Sequence, residues 1–171
     1  MPLLPPGPSA PAPIRALGAA VDWTIVAIGA VMTILVFLNV LFHIGGGDIA
    51  WTTELSELLM VWVTFLGGAA ASRRGLHMSI TEFLNKLGPT GQRWADGAIA
   101  LLTLAILALL TWYGMGIVNA SWGNELTVLR VPMATQYLAL PIGAGAMAVF
   151  TGWDIVQILR GRTREQRYGS A

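Results

Sequence analysis

Apolar residues fall in long stretches along this chain, each bounded by charges, and the pattern predicts four membrane-crossing helices. No Asp, Glu, Lys or Arg occurs between Asp22 and Asp48, between Asp96 and Glu125, or between Arg130 and Asp154. A hydrocarbon core of about 30 Å needs roughly 20 helical residues. Three stretches therefore span without help, over residues 23–44, 97–123 and 131–153. The remaining one is harder, because only fifteen residues separate Glu57 from Arg73, about 22 Å of helix. To cross, it must run over 52–72 and carry Glu54 and Glu57 in its opening turns. A carboxylate costs roughly 2.5–3.5 kcal/mol at the bilayer centre and much less near the interface, and a helix N-terminus favours anions. The predicted fold class is all-α integral membrane with four transmembrane helices.

Composition agrees. Of 171 residues, 55% are hydrophobic and 11% charged, against about a quarter charged in soluble domains, too few to cover a water-facing surface. Where the charges lie sets the orientation. Arg15, Arg73, Arg74, Lys86, Arg93, Arg160, Arg162, Arg164 and Arg167 flank one side, and Arg130 alone flanks the other. By the positive-inside rule the N and C termini and the middle loop are cytoplasmic. Trp23, Trp94 and Trp153 at one set of predicted ends, and Trp51 and Trp122 at the other, form aromatic belts; Trp62 and Trp112 fall mid-span.

The chain divides into a Pro-rich leader expected to be disordered over 1–14, a membrane domain over 15–160 and a basic cytoplasmic tail over 161–171. Met1 to Pro13 holds six prolines and no charge; without a basic n-region it does not read as a signal peptide. In the loop between the second and third spans, Met78, Ile80, Phe83, Leu84 and Leu87 recur at helical spacing before Gly88-Pro89. This predicts a short amphipathic helix on the inner leaflet, with a solvated turn as the alternative. There is no internal repeat of the kind that builds inverted-repeat transporters.

Candidate chemistry is sparse. Absence of cysteine excludes disulfides, thiolate metal sites and cysteine nucleophiles, and no hydrolase, P-loop or zinc-protease motif occurs. His43 and His77 lie at opposite predicted ends, separated by about the membrane thickness of ~30 Å, so they cannot share a haem or metal. No catalytic, cofactor or metal site is expected, and no nucleic-acid partner. Asn39, His43, Glu54 and Glu57 form a polar patch near the predicted outer face, joining spans one and two or gripping another subunit. Its expected core is a pair between His43 and Glu54 or Glu57 that titrates with external pH; the alternative is that these groups meet only headgroups and water. Gly67-x-x-x-Ala71, Gly68-x-x-x-Ser72, Gly116-x-x-x-Ala120 and Ala139-x-x-x-Gly143 offer close helix contacts, within the chain or to a partner. Pro141 should kink the fourth span and free a carbonyl near Tyr137, while Pro132 suits its first turn.

The block from Trp51 through Thr52-Thr53-Glu54 and Trp62 to Gly67-Gly68, Arg73-Arg74 and His77 resembles the second-helix signature of small (four-helix) permease subunits of tripartite ATP-independent periplasmic (TRAP) transporters. Leu38 to Phe42 and Val131 to Gly143 resemble the family's first and fourth helices. The resemblance implies a multi-pass subunit of the bacterial inner membrane, without catalysis of its own. Its implied partners are membrane lipid, a large multi-span permease subunit and a periplasmic substrate-binding protein, importing organic acids such as carboxylates on an ion gradient, usually sodium. The large subunit would hold substrate and ion. Glu54, Trp62, Gly67, Arg73 and His77 would be signature residues, with Tyr137 and Pro141 their fourth-helix counterparts. Thr53, Glu57 and His43 depart from the family, which often has an acid, a base and an arginine there. The alternatives are the small subunit of a tripartite tricarboxylate transporter, which shares size and topology but not the Glu54-to-His77 block, and a non-transport membrane anchor or scaffold, including a haem- or quinone-linked one.

Overall fold

The computed structural model describes residues 10–47, 49–74 and 88–162. These form α1 (Ala12–Ile44), α2 (Ala50–Arg73), α3 (Pro89–Ala120), a single turn α4 (Ala134–Tyr137) and α5 (Ala139–Leu159). Four units are long and apolar enough to cross a membrane: α1, α2, α3 and the α4–α5 pair. The all-helical, four-span architecture is as the hydrophobic pattern predicts.

Helix limits differ from span limits. α1 begins at Ala12, so the expected leader over 1–14 is too long by its last residues. α3 begins at Pro89 rather than 97, and α5 runs to Leu159 rather than 153. Hydropathy marks the hydrocarbon, whereas helices end where backbone chemistry ends them. Pro13 and Pro89 sit in first turns, where a missing N–H costs nothing. α1 stops at Gly45-Gly46, with Gly46 at φ 80°, and α5 at Gly161, with φ 76°. There the Arg162 N–H reaches back to the Gln157 carbonyl and closes the final turn. His77, the amphipathic helix expected over Met78 to Leu87, and the tail from residue 163 lie outside the described residues.

Laterally the helices run in the order α1, α2, α5, α3. α5 lies between α2 and α3 and is the most buried. α2 and α5 are parallel, since Phe65 meets Gly143 and Gly68 meets Met147. α3 runs antiparallel to α5: Gly114 faces Leu140 and Pro141, and Arg93 reaches Ile158 and Leu159. Val21, Leu66, Ala69, Ala70, Ala146 and Phe150 form the core shared by α1, α2 and α5. The starts of α1 and α3 and the ends of α2 and α5 thus lie together. That end carries Arg15, Arg73, Arg74, Arg93, Arg160 and Arg162, while the opposite end carries Arg130 alone among the described residues.

Of the small residues, Gly143 packs closest. A Cβ there would lie 2.6 Å from the Phe65 Cβ and 3.0 Å from the Phe65 carbonyl carbon and oxygen, so α2 and α5 touch backbone to backbone. A Cβ on Gly68 would meet only the flexible tip of Met147. Gly67, Gly116 and Gly145 face open space, so the Gly67 and Gly116 motifs make no close contact within the chain at those glycines. Gly143→Val should therefore lower stability in detergent by about 1–3 kcal/mol through overpacking, whereas Gly145→Ala should leave it within experimental error; thermal unfolding followed by circular dichroism checks both.

Candidate functional site: polar clamps along the second helix

At the arginine-rich end, Arg73 in the last turn of α2 lays its side chain across α1. Its Nη2 donates to the Asp22 Oδ2 at 2.5 Å, and Arg74 Nη2 donates to Oδ1 at 3.3 Å. The Arg73 side chain is 8% exposed and that of Asp22 6%, so this is a buried, charge-assisted contact. Gly18 makes it possible. It lies one turn before Asp22 on the same face of α1, and a Cβ there would collide with the Arg73 guanidinium and its Cδ. The family resemblance flagged Arg73 but not its partners. Asp22 reads as the boundary of a span and Gly18 as one small residue among many; their i, i+4 spacing was the available signal.

At the opposite end, Glu54 on the second turn of α2 accepts hydrogen bonds from backbone rather than from a side chain. The Val128 N–H lies 3.0 and 2.9 Å from its two oxygens, and the Leu129 N–H 2.9 Å from Oε2. The loop between α3 and α4 is folded for this contact. Leu126 N–H bonds to the Val131 carbonyl and Met133 N–H to that of Asn124, and Arg130 takes φ 54°, uncommon for a residue with a Cβ. Two successive N–H groups at the tip are left for the carboxylate.

Two turns further along α2, Trp62 Nε1 donates to the Thr135 carbonyl at 3.1 Å. An unbroken helix would offer that carbonyl to Ala139, where α4 gives way to α5. Leu138 keeps helical dihedrals, φ −58° and ψ −25°, so the ladder is interrupted and the chain does not turn. Pro141 is buried in the first turn of α5. The expected kink is thus a break at Leu138, and the carbonyl that gains a side-chain partner is that of Thr135, not Tyr137. Tyr137 is exposed.

The expected patch between spans one and two is not assembled. Glu54 turns to the α3–α4 loop, while the side chains of His43 and Glu57 are exposed and form no ion pair or hydrogen bond among the described residues. Donors were the deciding factor: unpaired backbone N–H groups at the loop tip take the carboxylate that a pairing with His43 would have used. Asn39 is half-buried on α1, and its buried Oδ1 has no hydrogen-bond partner among the described residues. No three His, Asp or Glu side chains converge among the described residues. A fourth tie, unsuspected from sequence, is Arg93, whose guanidinium donates to the Ile158 and Leu159 carbonyls at 3.1 and 2.9 Å, the acceptors a helix leaves free at its C-terminus.

The model of a family described as tripartite ATP-independent periplasmic transporters, DctQ component, matches residues 32–161. The chain belongs to this family. Among similar proteins, a Haemophilus influenzae protein named as a TRAP transporter small permease protein is 36% identical over 131 residues, 72% of this chain and 77% of that protein. The C4-dicarboxylate TRAP transporter small permease protein DctQ of Rhodobacter capsulatus is 32% identical over 106 residues, 60% of this chain and 46% of that protein. The isethionate TRAP transporter permease protein DctMQ of Oleidesulfovibrio alaskensis is 24% identical over 136 residues, 77% of this chain. The chain spans less than half the length of the Rhodobacter protein and 20% of DctMQ. The DctQ match takes in Glu54, Trp62, Arg73, Tyr137 and Pro141, whereas Gly18 and Asp22 precede it.

Asp22→Asn leaves the Arg73 charge buried beside a neutral group and should destabilise this DctQ-family protein by about 3–5 kcal/mol. Glu54→Gln should cost about 1.5–3 kcal/mol and speed amide exchange at Val128 and Leu129 while the α1–α2 contact stays protected. Chemical denaturation in detergent and hydrogen exchange measure the two effects separately.

Proposed function

We propose that this chain is the small, non-catalytic membrane subunit of a TRAP transporter in a bacterial inner membrane, supporting a large permease subunit that imports organic acids with a periplasmic binding protein and an ion gradient, sodium in the usual case. The observation that carries this reading is the DctQ match over residues 32–161, which falls on four spans whose polar side chains tie the chain to itself. Relatives named for C4-dicarboxylate and isethionate support an organic acid as the substrate. The DctMQ relative, in which the matched region is 20% of one longer permease protein, supports a large-subunit partner. The collected arginines at one end support cytoplasmic termini.

The clamps suggest how a subunit without its own transport site contributes. By fixing α1 and the α3–α4 loop to α2, they make the four helices one stiff body for a moving partner to work against. Full-length chain purified in mild detergent should carry a large multi-span permease with it. Proteoliposomes holding that permease and its binding protein should accumulate carboxylate only when this chain is present. Equal uptake without the chain would contradict the reading.

A further inference from the structure

We infer that the end of α5 and the start of α3 form a binding site for an anionic phospholipid of the leaflet facing the arginine-rich end. This needs only that the chain crosses a membrane, and not its role in transport.

Three arginines are gathered there. Arg93 reaches from α3 to the Ile158 and Leu159 carbonyls, and its Nη1 is 3.9 Å from where a Cβ on Gly161 would lie. Arg160 and Arg162 flank that glycine. Arg93 and Arg160 are exposed, and none of the three forms an ion pair among the described residues. The Arg160 guanidinium lies over the Trp153 ring, 5.7 Å from its centroid, which holds the cation at the helix surface. Positive charge is concentrated here.

Below the cations lies a track for an acyl chain. Val149, Trp153, Val156 and Arg160 follow one another at spacings of four, three and four, which places them on one face of α5. Val149 and Val156 are exposed. Gly145 and Gly152, beside them, have nothing within 4 Å of a would-be Cβ, so the surface is apolar and shallowly grooved. A phosphodiester at Arg160 would hang its tail along this groove. Charge alone would suit an acidic protein segment equally well, but the grooved apolar stripe continuing from the cations into the hydrocarbon level favours a lipid.

Native mass spectrometry of the full-length chain in mild detergent tests this, with phosphatidylglycerol and phosphatidylcholine of identical chains as probes. Wild type should retain phosphatidylglycerol preferentially. Arg160→Gln with Arg162→Gln should weaken that binding roughly 30-fold, at about fivefold per basic residue near a membrane surface, and leave phosphatidylcholine binding as it was. Arg130→Gln, at the opposite end, should change neither. Gly152→Leu, which fills the groove and keeps the charges, should weaken both lipids, and unchanged helical circular dichroism certifies each variant as folded. Equal retention of the two lipids by wild type, or phosphatidylglycerol binding unaffected by the double substitution, overturns the assignment. Displacement by millimolar inorganic phosphate alone would reassign the site to a free anion and likewise overturn it.

Discussion

The contact on which the arrangement most depends is the one between Arg73 and Asp22. Both side chains are more than nine-tenths buried, and each would be an expensive lone charge without the other. Satisfying them fixes the depth and rotation of α1 against α2 at the arginine-rich end, and Gly18 is the residue that lets the guanidinium lie flat on α1. In hydrocarbon, association gains little from hiding apolar surface, so packing and polar contacts select neighbours. Here polar contacts select at both ends of α2, since Glu54 holds the α3–α4 loop and Arg73 holds α1.

Between those clamps the fit is made by small residues. Gly143 lets α5 meet the backbone of Phe65, and Gly114 lets α3 approach Leu140 and Pro141. α1 and α3 are left as edges, and the apolar second half of α1 is exposed on nearly every side. Phe37, Leu41 and Ile44 on α1, and Leu102, Leu109 and Trp112 on α3, are exposed large side chains of the kind that lipid or another membrane protein covers. Arg93 closes the free end of α5 from α3. A subunit built this way is stiff along its centre and plain along its sides.

Much of this was legible in the sequence. Runs free of charge mark the four spans because the bilayer excludes charge, and three residues of the second-helix block make contacts that hold this fold. Glu54, Trp62 and Arg73 each have a partner from another segment. What the pattern could not supply was the partner. Asp22, the Val128 and Leu129 N–H groups and the Thr135 carbonyl lie 51 to 75 residues from the side chains they meet, and two of the three are backbone, which carries no residue-type signal. The same blindness produced the expected His43 pair: depth in the membrane brought His43 and Glu54 to one level, but depth says nothing of which way a helix face points. Helix ends were not legible in the charge-free stretches for a different reason, since Asp22 and Asp96 are buried within helices that continue past those stretches.

α2 lies between α1 and α5, with its Phe65 backbone against Gly143. The chain has no cysteine of its own, so paired cysteines report on this contact without background. Phe65→Cys with Gly143→Cys, oxidised in native membranes, should form an intramolecular disulfide that shifts the monomer band, because a small relaxation brings the two Cβ positions to the ~3.5–4.5 Å a disulfide needs. Absence of that shift, or cross-linked dimers in its place, would contradict a helix order in which α2 and α5 are neighbours.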